Sequence, residues 1–126
     1  MQSKKTLILG ATPNPTRYAY LAAERLTAKN HEIVPVGIKK GEVFGQEIEY
    51  QTENKDLTIH TDIDTLTLYV GVRNQPEWYN YILETKPKRI IFNPGTENPE
   101  LMKKAQEAGI EVEAACTLVL LGSNQY

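Results

Sequence analysis

Five short apolar runs, each of strand length and each separated from the next by room for a crossover, restrict this chain more than any other feature. They are Thr6-Leu7-Ile8-Leu9, Ile33-Val34-Pro35-Val36, Leu66-Thr67-Leu68-Tyr69-Val70, Arg89-Ile90-Ile91-Phe92 and Ile110-Glu111-Val112. Between the first two, Ala19, Ala22, Ala23 and Leu26 recur at i, i+3, i+4 and i+7, one face of a helix. The alanines are small enough to let that helix lie close to a sheet, and Asn30 supplies its stop. Pro76 suits the first position of a second helix, with Trp78, Tyr81 and Ile82 on one face. Asn98-Pro99 is a capping side chain followed by proline. Leu101, Ala105 and Ala108 then repeat with helical spacing until Gly109 ends the run. Strands joined by helical crossovers pair in parallel, with helices on both faces. The pattern predicts an α/β, Rossmann-like three-layer sandwich with a five-stranded, mainly parallel sheet, formed by residues 1–126 as a single domain.

Some stretches are less regular. Pro35 removes a ladder donor, so the second strand is expected to be short or to end there. From Gly37 to Asp64 the periodicity fades: Lys39-Lys40-Gly41 reads as a turn, Val43-Phe44 and Ile48 to Tyr50 as a small extended excursion, and Glu53 to Asp56 as exposed polar chain. Cys116 to Leu121 is a short apolar tail, either helix or packed segment. No internal repeat or low-complexity tract interrupts the chain.

A chain of 126 residues buries roughly two-thirds of its unfolded surface, enough for a core without metal or disulfides. The net charge of −2 gives no footing for nucleic acid or an anionic membrane. One cysteine, Cys116, excludes an intrachain disulfide. No run approaches the ~20 apolar residues of a membrane span, and the N-terminal pattern is not that of a signal peptide. A reduced, cytoplasmic protein is expected.

Ligands of open parallel sheets bind beyond the carboxyl ends of the strands, which nominates four loops. In Gly10-Ala11-Thr12-Pro13-Asn14-Pro15-Thr16-Arg17, a helix N-terminus offers backbone amides to an anion. Thr12 adds a hydroxyl, Asn14 a polar side chain and Arg17 a charged fork; a proline-stiffened, capped turn is the other reading. Thr12 and Pro15 stand where a dinucleotide fingerprint has glycine. In Gly37-Ile38-Lys39-Lys40, no acidic residue ends the second strand to grip a ribose diol, which argues against NAD. Lys39 and Lys40 suit a further phosphate, as in coenzyme A or NADP, unless they are merely solvated. Gly71-Val72-Arg73-Asn74 places Arg73 beside the cleft. Asn93-Pro94-Gly95-Thr96-Glu97 supplies a bend open to a ligand, and Tyr20 is placed to line the cleft.

Catalysis needs a nucleophile, base or metal cluster in mutual reach, and none is evident. His31, at the wrong end of its strand, and His60 both read as surface residues. Asp62 and Asp64 read as a loop pair without a partner, and Cys116 as a packed small hydrophobe. An exposed aromatic cluster near Trp78 would mark a homodimer or partner contact.

The same loops carry a family likeness. Ile8-Leu9-Gly10-Ala11-Thr12 with Asn14-Pro15-Thr16-Arg17-Tyr18-Ala19-Tyr20, then His31 to Val36, Val43-Phe44-Gly45, Val72-Arg73-Asn74, and Ala105 to Val112 followed by Cys116, span nearly the whole chain. In order and spacing they resemble the standalone CoA-binding domain proteins, small bacterial relatives of the nucleotide-binding domain in the succinyl-CoA synthetase alpha subunit. The resemblance implies a Rossmann-like fold that binds the ADP portion of coenzyme A through Gly10, Thr12, Arg17 and the backbone around Val72 and Arg73. Three places depart from the family pattern. Gly37-Ile38 replaces Asn-Pro after the second strand, Asn93-Pro94-Gly95 replaces a hydrophobic or glutamine-rich stretch, and Ala114-Ala115 replaces Asp-Arg before Cys116. A CoA or acyl-CoA binder without catalysis of its own is expected. An NADP-linked oxidoreductase-like protein and a ligand-free interaction module stand as alternatives.

Overall fold

The computed structural model describes residues 3–51 and 56–126. Its main sheet has five parallel strands: β1 (Thr6–Leu9), β2 (Ile33–Val36), β5 (Thr65–Leu68), β6 (Arg89–Phe92) and β7 (Glu111–Ala114), in the order β2-β1-β5-β6-β7. The register aligns Leu9 with Val36 on one side and Leu68 on the other. The three strands therefore end level, and their exit loops emerge side by side. All residues of β1, β2 and β5 are buried, as expected when both faces of a parallel sheet are covered.

Side-chain alternation sorts the core into two layers. Leu7, Leu9, Leu66, Leu68, Ile90 and Phe92 meet Ile82 of α2 (Tyr79–Thr85) and Leu101 and Ala105 of α3 (Pro99–Glu107). On the other face, Ile8 and Ile33 meet Ala19, Ala22, Ala23 and Leu26 of α1 (Tyr18–Ala28) and Leu121 of α4 (Thr117–Gly122). The three-layer expectation holds, and the apolar tail is a helix. Asn98 caps α3 through its side chain, which accepts from the N–H groups of Glu100 and Leu101. Asn30 (φ 64°) and Gly109 (φ 84°) end α1 and α3 in the left-handed conformation.

Pro35 does not end β2. The carbonyls of Glu32 and Val36 accept from Thr6 and Gly10 on the β1 side, whereas that of Pro35 points outward and accepts from Glu49 N–H at 2.9 Å. The missing proline N–H thus lies on the outer edge, where no ladder donor is needed. Glu49 makes a single parallel bridge to Val36 there. The excursion after β2 is a hairpin of β3 (Glu42–Val43) and β4 (Gln46–Glu47). Phe44 and Gly45 form its two-residue turn with φ of 48° and 83°, the sign pattern of a tight hairpin. Of the stretch expected as exposed polar chain, Asp56 is exposed, while Glu53, Asn54 and Lys55 lie outside the described residues.

Candidate functional site

From β1 the chain crosses to β2 on one side, then returns past β1 to β5 on the other. The β1 and β5 exit loops therefore part at the switch point, where a doubly wound sheet opens a crevice. Two glycines let the backbones there touch. At Gly10 (φ +99°) an added Cβ would lie 3.0 Å from the carbonyl carbon and oxygen of Tyr69. At Gly37 it would lie 2.7 Å from the carbonyl oxygen of Ala11. The N–H groups of Gly10 and Ala11 both donate to the Val36 carbonyl, at 2.8 and 3.0 Å, so the first loop is fixed to the β2 exit.

Within that loop, Thr12 Oγ1 accepts from Asn14 N–H at 3.2 Å. Asn14 Oδ1 accepts from the N–H and hydroxyl of Thr16 at 3.0 and 2.8 Å. This local bonding orients the turn that delivers Arg17, the N-cap of α1, whose backbone is extended and whose side chain makes no cap hydrogen bond. The first amides of α1 thus carry no side-chain cap, and such amides attract anions. Gly10, Ala11, Thr12, Asn14 and Arg17 are gathered as the sequence suggested. Tyr20, one turn further along α1, packs its ring at 5.0 Å, tilted, against Phe44 of the hairpin.

The β2 exit exposes Lys39 and Lys40, but in different surroundings. Lys40 lines a cavity of about 670 Å³ together with Glu42, Glu47, Glu49 and Asp56, a carboxylate-rich setting that repels phosphate. A second cleft of about 470 Å³ lies between Gly37 and the rings of Trp78 and Tyr81. After β5, residues Val72–Asn74 make one 3₁₀ turn with Val72 and Arg73 exposed. Arg17, Lys39, Lys40 and Arg73 form no ion pair among the described residues.

The β6 exit contributes less than its sequence suggested. Asn93 is buried and its amide is fully engaged. Nδ2 donates to Thr67 Oγ1 at 2.8 Å and to the Leu68 carbonyl at 2.9 Å, and Oδ1 accepts from Thr117 N–H at 2.9 Å. Its side chain is therefore a structural pin rather than a ligand contact. Gly95 (φ +92°) has space around it, but its N–H donates to Glu97 Oε1 at 2.7 Å.

Sequence reasoning missed Gln75. Wholly buried, it donates from Nε2 to the carbonyls of Val70 at 2.9 Å and Thr96 at 2.8 Å, locking the β5 exit to the β6 exit. A polar residue directly before the helix-starting Pro76 was the available signal.

Other expectations are corrected by burial and pairing. Trp78 and Tyr81 are buried and meet edge to face at 5.9 Å, so no exposed aromatic cluster forms around Trp78. Burial pushes the phenols of Tyr81 and Tyr69 up to about 12. His31 is buried, and its Nδ1 accepts from Lys4 N–H at 2.9 Å. His60 is half-buried, with Nε2 2.9 and 3.0 Å from the two carboxylate oxygens of Glu49. Asp62 pairs with Lys5 at 2.7 Å, and Asp64 accepts from the Thr65 hydroxyl at 2.7 Å. Cys116 is half-buried at the start of α4. No group of three or more metal-ligating side chains occurs among the described residues, nor a helix long and apolar enough to cross a membrane.

The fold and this crevice define a doubly wound α/β domain whose switch-point edge carries a helix N-terminus without a side-chain cap and cations that form no ion pair among the described residues. More particularly, the chain belongs to the CoA binding domain family, which matches residues 4–122. Solved structures agree on the fold. A crystal structure of an uncharacterized protein is 53% identical with a TM-score of 0.93, covering 100% of each chain. The cell-free ID.343 protein of Thermus thermophilus is 25% identical, with a TM-score of 0.80 over 98% of this chain and 91% of its own. A hypothetical protein from Pyrococcus horikoshii OT3 is 26% identical, with a TM-score of 0.80 over 98% and 84%. No curated protein matches the chain.

Proposed function

We propose that this chain is a single CoA-binding domain that holds coenzyme A, free or acylated, by its ADP portion and performs no catalysis of its own. Membership of the CoA binding domain family supports the ligand class. The observation that carries the placement is the uncapped N-terminus of α1 on the switch-point crevice, with Arg17, in no ion pair among the described residues, at its cap. The diphosphate meets the first amides of α1, the Arg17 fork and the Thr12 hydroxyl; charge-assisted bonds of this kind are the strong ones. Gly10, Ala11 and Gly37 keep the loops thin enough for close approach, and the Val72-Arg73 turn forms the opposite wall. The cleft between Gly37 and Trp78 offers an aromatic wall for the purine. Of the two lysines, Lys39 is the better partner for the 3′-phosphate, since Lys40 stands among carboxylates.

NADP shares the extra phosphate and is the second reading, favoured by Lys39 and Lys40 standing after β2 where NAD would want an acid. Titration of the protein with CoA, acetyl-CoA, NAD and NADP, followed by thermal shift, tests both, because a ligand of the folded state raises its stability. Stabilisation by the CoA compounds alone is expected. A response to NADP alone transfers the site to the second reading, and no response to any of them leaves an interaction module without nucleotide.

A further inference from the structure

Phe44 holds a backbone conformation that its side chain disfavours. Its φ of 48° is left-handed, and with Gly45 it makes the two-residue turn between β3 and β4. Turns of that sign pattern favour Asn-Gly or Gly-Gly, and a bulky ring in the left-handed region is rare. The other non-glycine residues with positive φ among the described residues, Asn30, Lys86 and Asn124, stand at or just past helix ends. Such strain persists only where the surrounding structure enforces it.

What surrounds Phe44 is the start of α1. Its ring lies 5.0 Å from that of Tyr20, tilted by 53°, and Tyr20 is the third residue of the helix. Val43 and Ile48, on the two arms of the hairpin, are buried in one layer with Ala11, Ala19 and Ala23. At the hairpin's base the Gly41 backbone abuts the Pro13 ring: an added Cβ would stand 3.0 and 3.1 Å from Pro13 Cγ and Cβ. The base is itself fixed to the sheet edge. Gly37 N–H donates to the Glu49 carbonyl and Glu49 N–H to that of Pro35, each at 2.9 Å, while Ile48 N–H donates to the Gly41 carbonyl at 2.8 Å. The hairpin thus meets the first exit loop near its start, at Pro13, and just beyond its end, at Tyr20.

That loop has little else to hold it. Gly10 and Ala11 are bonded to Val36, but from Thr12 to Thr16 every hydrogen bond among the described residues stays within Thr12 to Arg17. Pro13 to Arg17 are exposed. We propose that the β3–β4 hairpin is a clamp on this loop and that Phe44 is a positioning residue for the ligand. Its ring, through Tyr20, holds the start of α1 so that Arg17 and the first amides face the crevice. This rests on the CoA reading above and adds to it a residue that does not touch the ligand.

The test is calorimetric titration of CoA into the unaltered protein, Phe44→Asn, Phe44→Tyr, Tyr20→Ala and a double variant carrying Phe44→Asn and Tyr20→Ala. Because Asn-Gly suits the turn, Phe44→Asn should keep a melting temperature close to that of the unaltered protein. Its CoA affinity should nevertheless fall about tenfold, since the ligand must then order a loop that the hairpin no longer holds. Phe44→Tyr should retain the affinity, and the double variant should bind no more weakly than Phe44→Asn alone. Equal affinity of Phe44→Asn and the unaltered protein would overturn the clamp and leave the CoA reading intact. Additive losses in the double variant would assign Tyr20 to the ligand itself and overturn the indirect route. Failure of the unaltered protein to bind CoA would remove the CoA reading, and the clamp is then decided without ligand. Trypsin should cut after Arg17 several-fold faster in Phe44→Asn than in the unaltered protein; equal rates would overturn the clamp.

Discussion

Asn98 donates from Nδ2 to Gln75 Oε1 at 2.9 Å, and both side chains are buried in the seam between the β5 and β6 exits. Asn98 also caps α3 through Oδ1 and donates to the Tyr79 hydroxyl at 2.8 Å. Gln75 reaches the opposite way to Val70 and Thr96. One amide pair thus joins a helix cap to the loop that carries Val72 and Arg73. Truncating Gln75 to Ala leaves two carbonyls and one amide donor without that partner in a largely buried seam. A loss of about 2–4 kcal/mol in unfolding free energy is expected from urea titration, with weakened CoA binding. Unchanged stability would mean that water replaces the glutamine.

Gly37→Ala tests the contact between the first two exit loops. The φ of Gly37 lies outside the left-handed region, so the cost is steric: the new methyl would stand 2.7 Å from the Ala11 carbonyl oxygen. Overpacking of this kind costs about 1–3 kcal/mol. Because the displaced atoms belong to the first loop, CoA affinity should fall along with the melting temperature. A fall in stability alone would separate that contact from the ligand.

Arg17→Ala should weaken CoA binding at least tenfold, ~1.4 kcal/mol, with almost no change in the melting temperature of the free protein. The side chain is exposed and caps nothing, so only the ligand should notice its loss. An unaltered affinity would remove Arg17 from the site.

The two lysines should separate. Dephospho-CoA should bind more weakly than CoA to the unaltered protein and to Lys40→Ala, whereas Lys39→Ala should erase the difference. Lys40 lines a cavity with four carboxylates, and Lys39 is not among its lining residues. Equal affinity of CoA and dephospho-CoA for the unaltered protein would mean that both lysines are solvated.

His31 makes stability depend on pH. Burial first, then the charge of Lys4, holds its imidazole below the usual 6.5. The unfolded chain therefore binds the proton more readily than the folded one. The stability so contributed is present above the ordinary imidazole value and is lost as pH falls through it towards the lower folded value. Protonation would also abolish the hydrogen bond that Nδ1 accepts from Lys4 N–H. The melting temperature should fall between about pH 7 and about pH 5, and less steeply in His31→Asn, which keeps an acceptor without the titration. Equal slopes for the two proteins would exclude His31 as the source.

The sequence by itself determined the parallel sheet, its helices and most of their ends. Those follow from short-range physics: apolar periodicity, the Asn98-Pro99 cap, and the left-handed stops at Asn30 and Gly109. It also located the first loop, because a glycine after an apolar strand and before an alanine-faced helix has one place in such a sheet. Long-range contacts decided the rest. Pro35 sits inside a strand because β2 is the edge strand and its missing N–H falls on the outer side. Asn93 is turned inward because Thr67, Leu68 and Thr117 converge on its amide, and Gln75 became a keystone because Val70, Thr96 and Asn98 surround it. The difference between Lys39 and Lys40, neighbours in sequence, arises because only Lys40 lines the cavity to which the hairpin and the chain beyond it contribute Glu42, Glu47, Glu49 and Asp56. Local sequence fixes which conformation a segment prefers, whereas the partner of a buried polar group or a charge is set by which distant segments the sheet brings together.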